Sequence, residues 1–419
     1  MIRTLKTYSF FAIILLLQAC SGGSGGNSSG DNGISDIKIY NSNSPFAAVL
    51  SDCAKADTPS NSCTLETLPL IGQETNTPTI DDIMERVTVS HEWMGLRFEQ
   101  LLGQLPSEVL PLFKAVTAIV IDADIRPSYY DTIAAAIYLD PSYLWLSVAE
   151  KRTINLKEDY RSNFDDPLAF RSFSRYVQNG DYAYDYWSLT DESTRNISDI
   201  KLSASRVLLH ELAHANDFMP PGSYINLDSN QSVYHAIGAI SNDWISSRLY
   251  ALNPLQSSTM FSLADVMYRG YTPTQADLQI SASQVGEAFE TDGASDDYGY
   301  TTQYEDIAML FESSMMKYLY DVDHEVGFVT TLPYDGWCYD YQIRWGAIGR
   351  IGDLNVKDRA QLISSEISTD MNLSAFFDTL EDVTGTSGNW CTPAQRSSVS
   401  ALSTKKKHLR REDFHRPYL

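Results

Sequence analysis

Apolar residues recur at two different periods along the chain, and the change of period divides it. From residue 80 the spacing is helical. Trp93, Met94, Leu96, Phe98, Leu101 and Leu102 predict an amphipathic helix closing near Gly103. Val116, Thr117, Ala118, Ile119, Val120 and Ile121 form an apolar, β-branched run, which predicts a buried strand. Residues 134–139 (AAAIYL) read as a second strand or a short helix, closed by Asp140-Pro141. Residues 35–80 are rich in Ser, Thr, Asn and Pro and predict an irregular arm. Residues 155–200 are polar and aromatic and predict loops with short helices. Beyond residue 200 helical periods dominate, and no internal repeat is visible. The expected fold class is α+β: a small mixed sheet beside a central helix, with a mainly helical C-terminal part.

The ends carry a different pattern. Residues 1–19 place Arg3 and Lys6 before an apolar run over 10–17, too short for a membrane span and suited to a signal peptide. The run closes in Leu17-Gln18-Ala19-Cys20, which resembles the bacterial lipobox and implies lipidation of Cys20. Residues 20–36 are a Gly/Ser/Asn tether. Residues 405–419 are a basic tail. The body is therefore expected over 37–404, as an N-terminal part 37–200 and an active-site helical part 201–404. Ser21 after the lipidated cysteine points, by resemblance to sorted lipoproteins, to the outer membrane.

Charge and cysteine content narrow the classes further. The 419 residues carry a formal net charge of −23, although the two ends, 1–19 and 405–419, are each net positive. So acidic a body excludes nucleic acid as a partner and favours a soluble monomer. Five cysteines leave an even four once Cys20 is lipidated. An exported chain pairs them. Proximity in sequence predicts Cys53–Cys63 and Cys338–Cys391.

The chemistry lies in residues 203–222, SASRVLLHELAHANDFMPPG. Ser203 is the expected N-cap, and Pro220-Pro221 stops the helix. Within it stands His210-Glu211-Leu212-Ala213-His214. Residues i and i+4 share a helix face, so both imidazoles can grip one zinc ion. Glu211 is rotated by about 100°, beside the metal and not on it, where a general base belongs. Asp217, three residues after His214, is placed to orient that ring. With 7 His in the whole chain, this arrangement is rare by chance.

A third ligand is required, and no Glu occurs between 212 and 286. Glu287, Glu290, Glu305 and Glu312 follow, and His235 is a rival. Glu305 opens a helical run to about Tyr320 whose face includes Ala308, Met309 and Glu312. Glu290, Asp292, Asp296 and Asp297 read as a solvated acidic loop, with calcium binding as the alternative.

His-Glu-x-x-His-Ala-x-Asp (His210 to Asp217), together with Tyr298-Gly299-x-Thr301-x-x-x-Glu305-x-x-Ala308, resembles the catalytic domains of lethal-factor-type gluzincin metallopeptidases. The resemblance covers about 25 residues. It implies a zincin-like fold, Glu305 as third zinc ligand and Tyr298 as a catalytic hydrogen-bond donor. An edge strand beside the helix would hold an extended protein or peptide substrate. Met309 stands where the family carries a further glutamate, and Glu312 is expected to take that supporting place. The interval between the blocks is longer than in the family, implying an insertion around 222–296. No Gly-x-Met-Glu-Asn element of the aminopeptidase kind occurs, which favours an endopeptidase. The competing expectation is a non-catalytic envelope lipoprotein with a structural or degenerate zinc site.

Overall fold

The computed structural model describes residues 36–332 and 336–391. Cys20, the tether up to residue 35 and the basic tail lie outside the described residues. Among the described residues no helix is long and apolar enough to cross a membrane.

The fold is a mixture of helices and two sheets. The first sheet contains β1 (Lys38–Ile39), β2 (Val87–Val89), β3 (Ala118–Ile121), β4 (Tyr129–Asp131) and β5 (Ala136–Leu139), in the order β1-β2-β3-β5-β4. Strands β2, β3 and β5 are parallel, whereas β1 and β4 run antiparallel at the edges. The two apolar runs expected as strands are thus the central pair. Their alternation decides their packing. Ile119, Ile121, Ile137 and Leu139 enter the main core, while Ala118, Val120, Ala136 and Tyr138 face a second cluster with Leu50, Cys53 and Leu68. A sheet buried on both faces reads as continuous apolar sequence, as these strands do.

The second sheet is antiparallel. It contains β6 (Phe170–Gln178), β7 (Asp181–Tyr182), β8 (Asp323–Thr330), β9 (Gln342–Ile348), β10 (Thr384–Gly385) and β11 (Gly388–Asn389). Two expectations fail here. Residues 170–178 are a long strand, not a loop, and the C-terminal part carries two long strands among its helices. Strand β6 is disguised by its arginines, which are buried against partners. Arg175 Nε donates to Glu325 at 2.6 Å, and Arg171 pairs with Asp165 at 3.3 Å.

The central helix spans Ile197–Phe218. It begins before the expected Ser203 because Asn196 and Asp199 form a reciprocal cap. Asn196 Oδ1 accepts from Ser198 N at 2.9 Å, and Asp199 Oδ2 accepts from Asn196 N at 2.8 Å. Ser203 lies inside the helix and bonds back to the Ile200 carbonyl at 3.1 Å. The stop at Met219-Pro220 is as expected. Val207, Leu208 and Leu212 pack in the same core as Ile119 and Ile137 of the first sheet.

A second long helix, Gln303–Tyr320, is capped by Thr302, whose Oγ1 accepts from Glu305 N at 3.1 Å. Its Ile307, Ala308, Leu310 and Phe311 join the core of the central helix, while Met309 turns to Val326 and Phe328 of β8. This helix is therefore the layer between the central helix and the second sheet. The interval 222–296 folds into four helices, Val233–Ala239, Ile245–Leu252, Ser258–Arg269 and Ala282–Glu290. Disulfides join Cys53 to Cys63 and Cys338 to Cys391, the pairing expected from sequence.

Candidate metal centre

His210 and His214 project from adjacent turns of the central helix, with ring centroids 4.9 Å apart. Glu305, in the first turn of the helix packed against it, reaches both. Its Oε2 lies 3.0 Å from His210 Nε2 and 3.5 Å from His214 Nε2. One ligand atom from each of the three residues falls within 4.8 Å of the others, so the group could hold a metal ion. Both rings are buried, whereas the Glu305 side chain is 19% exposed, so the site opens on the Glu305 side.

Electrostatics favour a cation. Burial would push the Glu305 carboxyl up, but the neighbouring His214 and His210 rings outweigh it and hold it well below the usual carboxylate range. Burial pushes the His210 ring down, and its bonds to Glu305 and Glu312 outweigh that in turn.

Glu211 lies beside this group, 1% exposed, and neither carboxylate oxygen has a hydrogen-bond partner. Burial pushes it up to about 8, with Glu305 and Glu312 adding to the rise and His214 opposing it. A buried carboxylate with no donor is costly unless a cation or an incoming proton satisfies it. Two imidazoles, one carboxylate and this orphaned neighbour therefore form a donor set that fits a metal with an open position.

The supporting residues fall into place unequally. Glu312 Oε2 accepts from His210 Nδ1 at 3.0 Å, the supporting place expected of it. It is held at about 2, because Arg206 and His210 outweigh its burial. Arg206 Nη1 approaches Glu312 Oε1 at 3.4 Å, and the Tyr176 hydroxyl donates to the same oxygen at 2.5 Å. The bond expected from His214 to Asp217 is not made. Asp217 Oδ1 instead accepts from Ser246 N at 2.7 Å, while Asp217 Oδ2 and His214 Nδ1 have no hydrogen-bond partner. Asp217 is spent on capping the neighbouring helix Ile245–Leu252. Burial pushes it up to about 6.

Tyr298 sits in the turn Asp297–Tyr300, just ahead of the Glu305 helix. Its hydroxyl accepts from Arg161 Nη1 at 3.0 Å. Burial first, and then the charge of Glu305, push the phenol well up, against Arg161. Of the rival ligands, His235 is exposed, with Nδ1 2.7 Å from Ser232 Oγ, and Glu287 is exposed on its helix. The acidic stretch is solvated only in its first part, where Glu290 is exposed at the end of its helix and Asp292 is half-buried. Asp296 and Asp297 are fully buried; Asp296 caps the Tyr298 turn, and Asp297 accepts from Tyr268 and Ser172.

Sequence reasoning missed Arg206, Tyr176 and Arg161. Arg206 stands one turn before His210, so the helical period contained that signal. Tyr176 and Arg161 fall in the stretch read as loop and had none. Compared with protein-family models, with curated proteins and with solved structures, the chain matches none.

Proposed function

We propose that this chain is a zinc-dependent metalloendopeptidase of the zincin type, carried at the bacterial outer membrane on a lipid at Cys20. The observation that carries the reading is the convergence of His210, His214 and Glu305 on one point, with the unpartnered Glu211 carboxylate beside it. His210, His214 and Glu305 would hold the ion. When bound, zinc supplies Lewis acidity that makes a water more acidic and polarises a peptide carbonyl.

The remaining steps belong to the chain. Glu211, with no competing donor, takes the proton of the attacking water and returns it to the leaving amine. Tyr298, kept protonated by its burial, donates to the carbonyl oxygen as negative charge develops there. Glu312 holds the His210 ring so that Nε2 faces the site. Strand β4 is an antiparallel edge beside the central helix, tied to it by Tyr130 stacked on Phe218 at 6.0 Å. Such an edge can add an extended substrate as a further strand, and a site opening to one side suits cleavage within a chain. A purely structural site has no use for Glu211.

Cleavage-site profiling on an unbiased peptide library tests the proposal. The zinc-loaded chain is expected to cut internal bonds, and Glu211→Gln to retain zinc with nearly all cleavage lost. Equal activity of wild type and Glu211→Gln would refute the role of the base. A zinc-loaded wild type that cuts nothing would favour the non-catalytic lipoprotein.

A further inference from the structure

We propose that Arg161 is a positioning residue for Tyr298, and that Asp159, Arg161 and Tyr298 form one chain that sets where the phenolic proton points. The inference rests on the peptidase reading above and deepens it.

The geometry is that of a fixed fork. Arg161 Nε donates to Asp159 Oδ1 at 3.0 Å, and Nη2 donates to Oδ2 at 2.6 Å. The Arg161 backbone N–H also donates to Oδ1 at 2.9 Å. Paired bonds of this kind hold a guanidinium in one plane. The remaining arm, Nη1, donates to the Tyr298 hydroxyl at 3.0 Å. The Arg161 side chain is 2% exposed and that of Asp159 12%, so the chain is shielded from water.

Donor counting then fixes the proton. A guanidinium has five N–H donors and no acceptor, whereas a phenol has one O–H and accepts through its oxygen. Tyr298 therefore accepts from Arg161, and its own proton is directed away from Arg161. The tyrosine is steadied from another side by Tyr268, edge-on at 4.9 Å. Its turn leads directly into the helix that carries Glu305, whose charge it feels. A hydroxyl held this way is oriented before substrate arrives, and the cation on its oxygen strengthens the proton as a donor. A neutral hydrogen-bond acceptor in place of Arg161 would take the proton for itself.

The test is a double-mutant cycle on the zinc-loaded full chain with Arg161→Gln and Tyr298→Phe, and Arg161→Lys as the conservative variant. Arg161→Gln is expected to keep its zinc, leave KM within about twofold and lower kcat about 10- to 100-fold, the scale of a mis-set catalytic group. Arg161→Lys should recover part of the loss. In the Tyr298→Phe background Arg161→Gln should cost nothing further. Equal losses in both backgrounds, a change in KM alone, or an unchanged kcat would overturn the proposal.

Affinity for a phosphinic peptide, read by calorimetry, repeats the cycle without turnover, because its oxygen occupies the place of the developing oxyanion. Weakening confined to the background that retains Tyr298 is expected, and equal weakening in both would overturn the inference. No cleavage by zinc-loaded wild type would instead refute the peptidase reading, a result the calorimetric cycle keeps separate. If Arg161→Gln does not fold, Arg161→Lys carries both cycles.

Discussion

Glu312 and His210 meet on the side of the imidazole away from Glu305. Nδ1 lies 3.0 Å from Glu312 Oε2, while Nε2 of the same ring lies 3.0 Å from Glu305 Oε2. A carboxylate on Nδ1 keeps the proton there and leaves the Nε2 lone pair facing the site. Arg206 and Tyr176 fix Glu312 from behind. The His210 ring at the candidate site is thus held two residues deep, across two helices and a strand.

Glu312→Gln keeps the shape and removes the charge. Zinc affinity is expected to fall about 10- to 100-fold, the usual scale for partners of a metal-binding histidine. Competition with a chromophoric chelator measures it; an unchanged affinity would show that Glu312 does not set the ring.

In the metal-free protein, stability should fall as pH rises from about 6.5 to 8. Burial pushes Glu211 from 4.5 up to about 8, so over this range the folded state binds more protons than the unfolded one. The raised His210 adds the same sign above its unfolded value of about 6.5. His324, pushed down to about 4 by burial, acts the other way, but only below about 6.5. Zinc binds the deprotonated ligands, so the rise in Tm on adding zinc should grow over the same range. Thermal unfolding at the two pH values checks both slopes; a metal-free protein that gains stability across the window would contradict them.

The two disulfides should differ in worth. They close intervals of 10 and 53 residues, and loop entropy makes the longer one more stabilising by about 1.5 kcal/mol. Denaturant unfolding of the two double-serine variants measures the difference. Equal losses would show that chain entropy is not the governing effect.

Cys20→Ser should move the protein from the membrane to the soluble fraction of cells, because the lipid is the proposed attachment. Unchanged fractionation would rule out the anchor.

The legible parts of the sequence were those where a local pattern and its chemistry coincide. The His-bearing helix shows its candidate metal-binding face by the i, i+4 spacing of His210 and His214, and Glu305 marks the start of the second helix, whose cap at Thr302 the sequence reading did not single out. Strands β3 and β5 were visible because burial on both faces makes them apolar throughout. Strand β6 was not, because Arg171 and Arg175 are satisfied by carboxylates distant in sequence or outside the strand pattern, and periodicity cannot report a partner. The same limit explains the misreading of Asp296 and Asp297, whose burial depends on Tyr268, Ser172 and β8. Asp217 shows a further limit. Its spacing from His214 was right for a hydrogen bond, but the carboxylate is turned to the backbone donor at Ser246, and its second oxygen and His214 Nδ1 stay apart.

Zinc binding by Glu305→Ala, titrated calorimetrically beside wild type, tests the centre of the account most directly. Wild type is expected to bind one zinc ion, and the variant to lose at least about 100-fold in affinity, since one of three protein ligands is gone and the two imidazoles alone remain. Binding as tight as that of wild type would contradict the account and place the third ligand elsewhere.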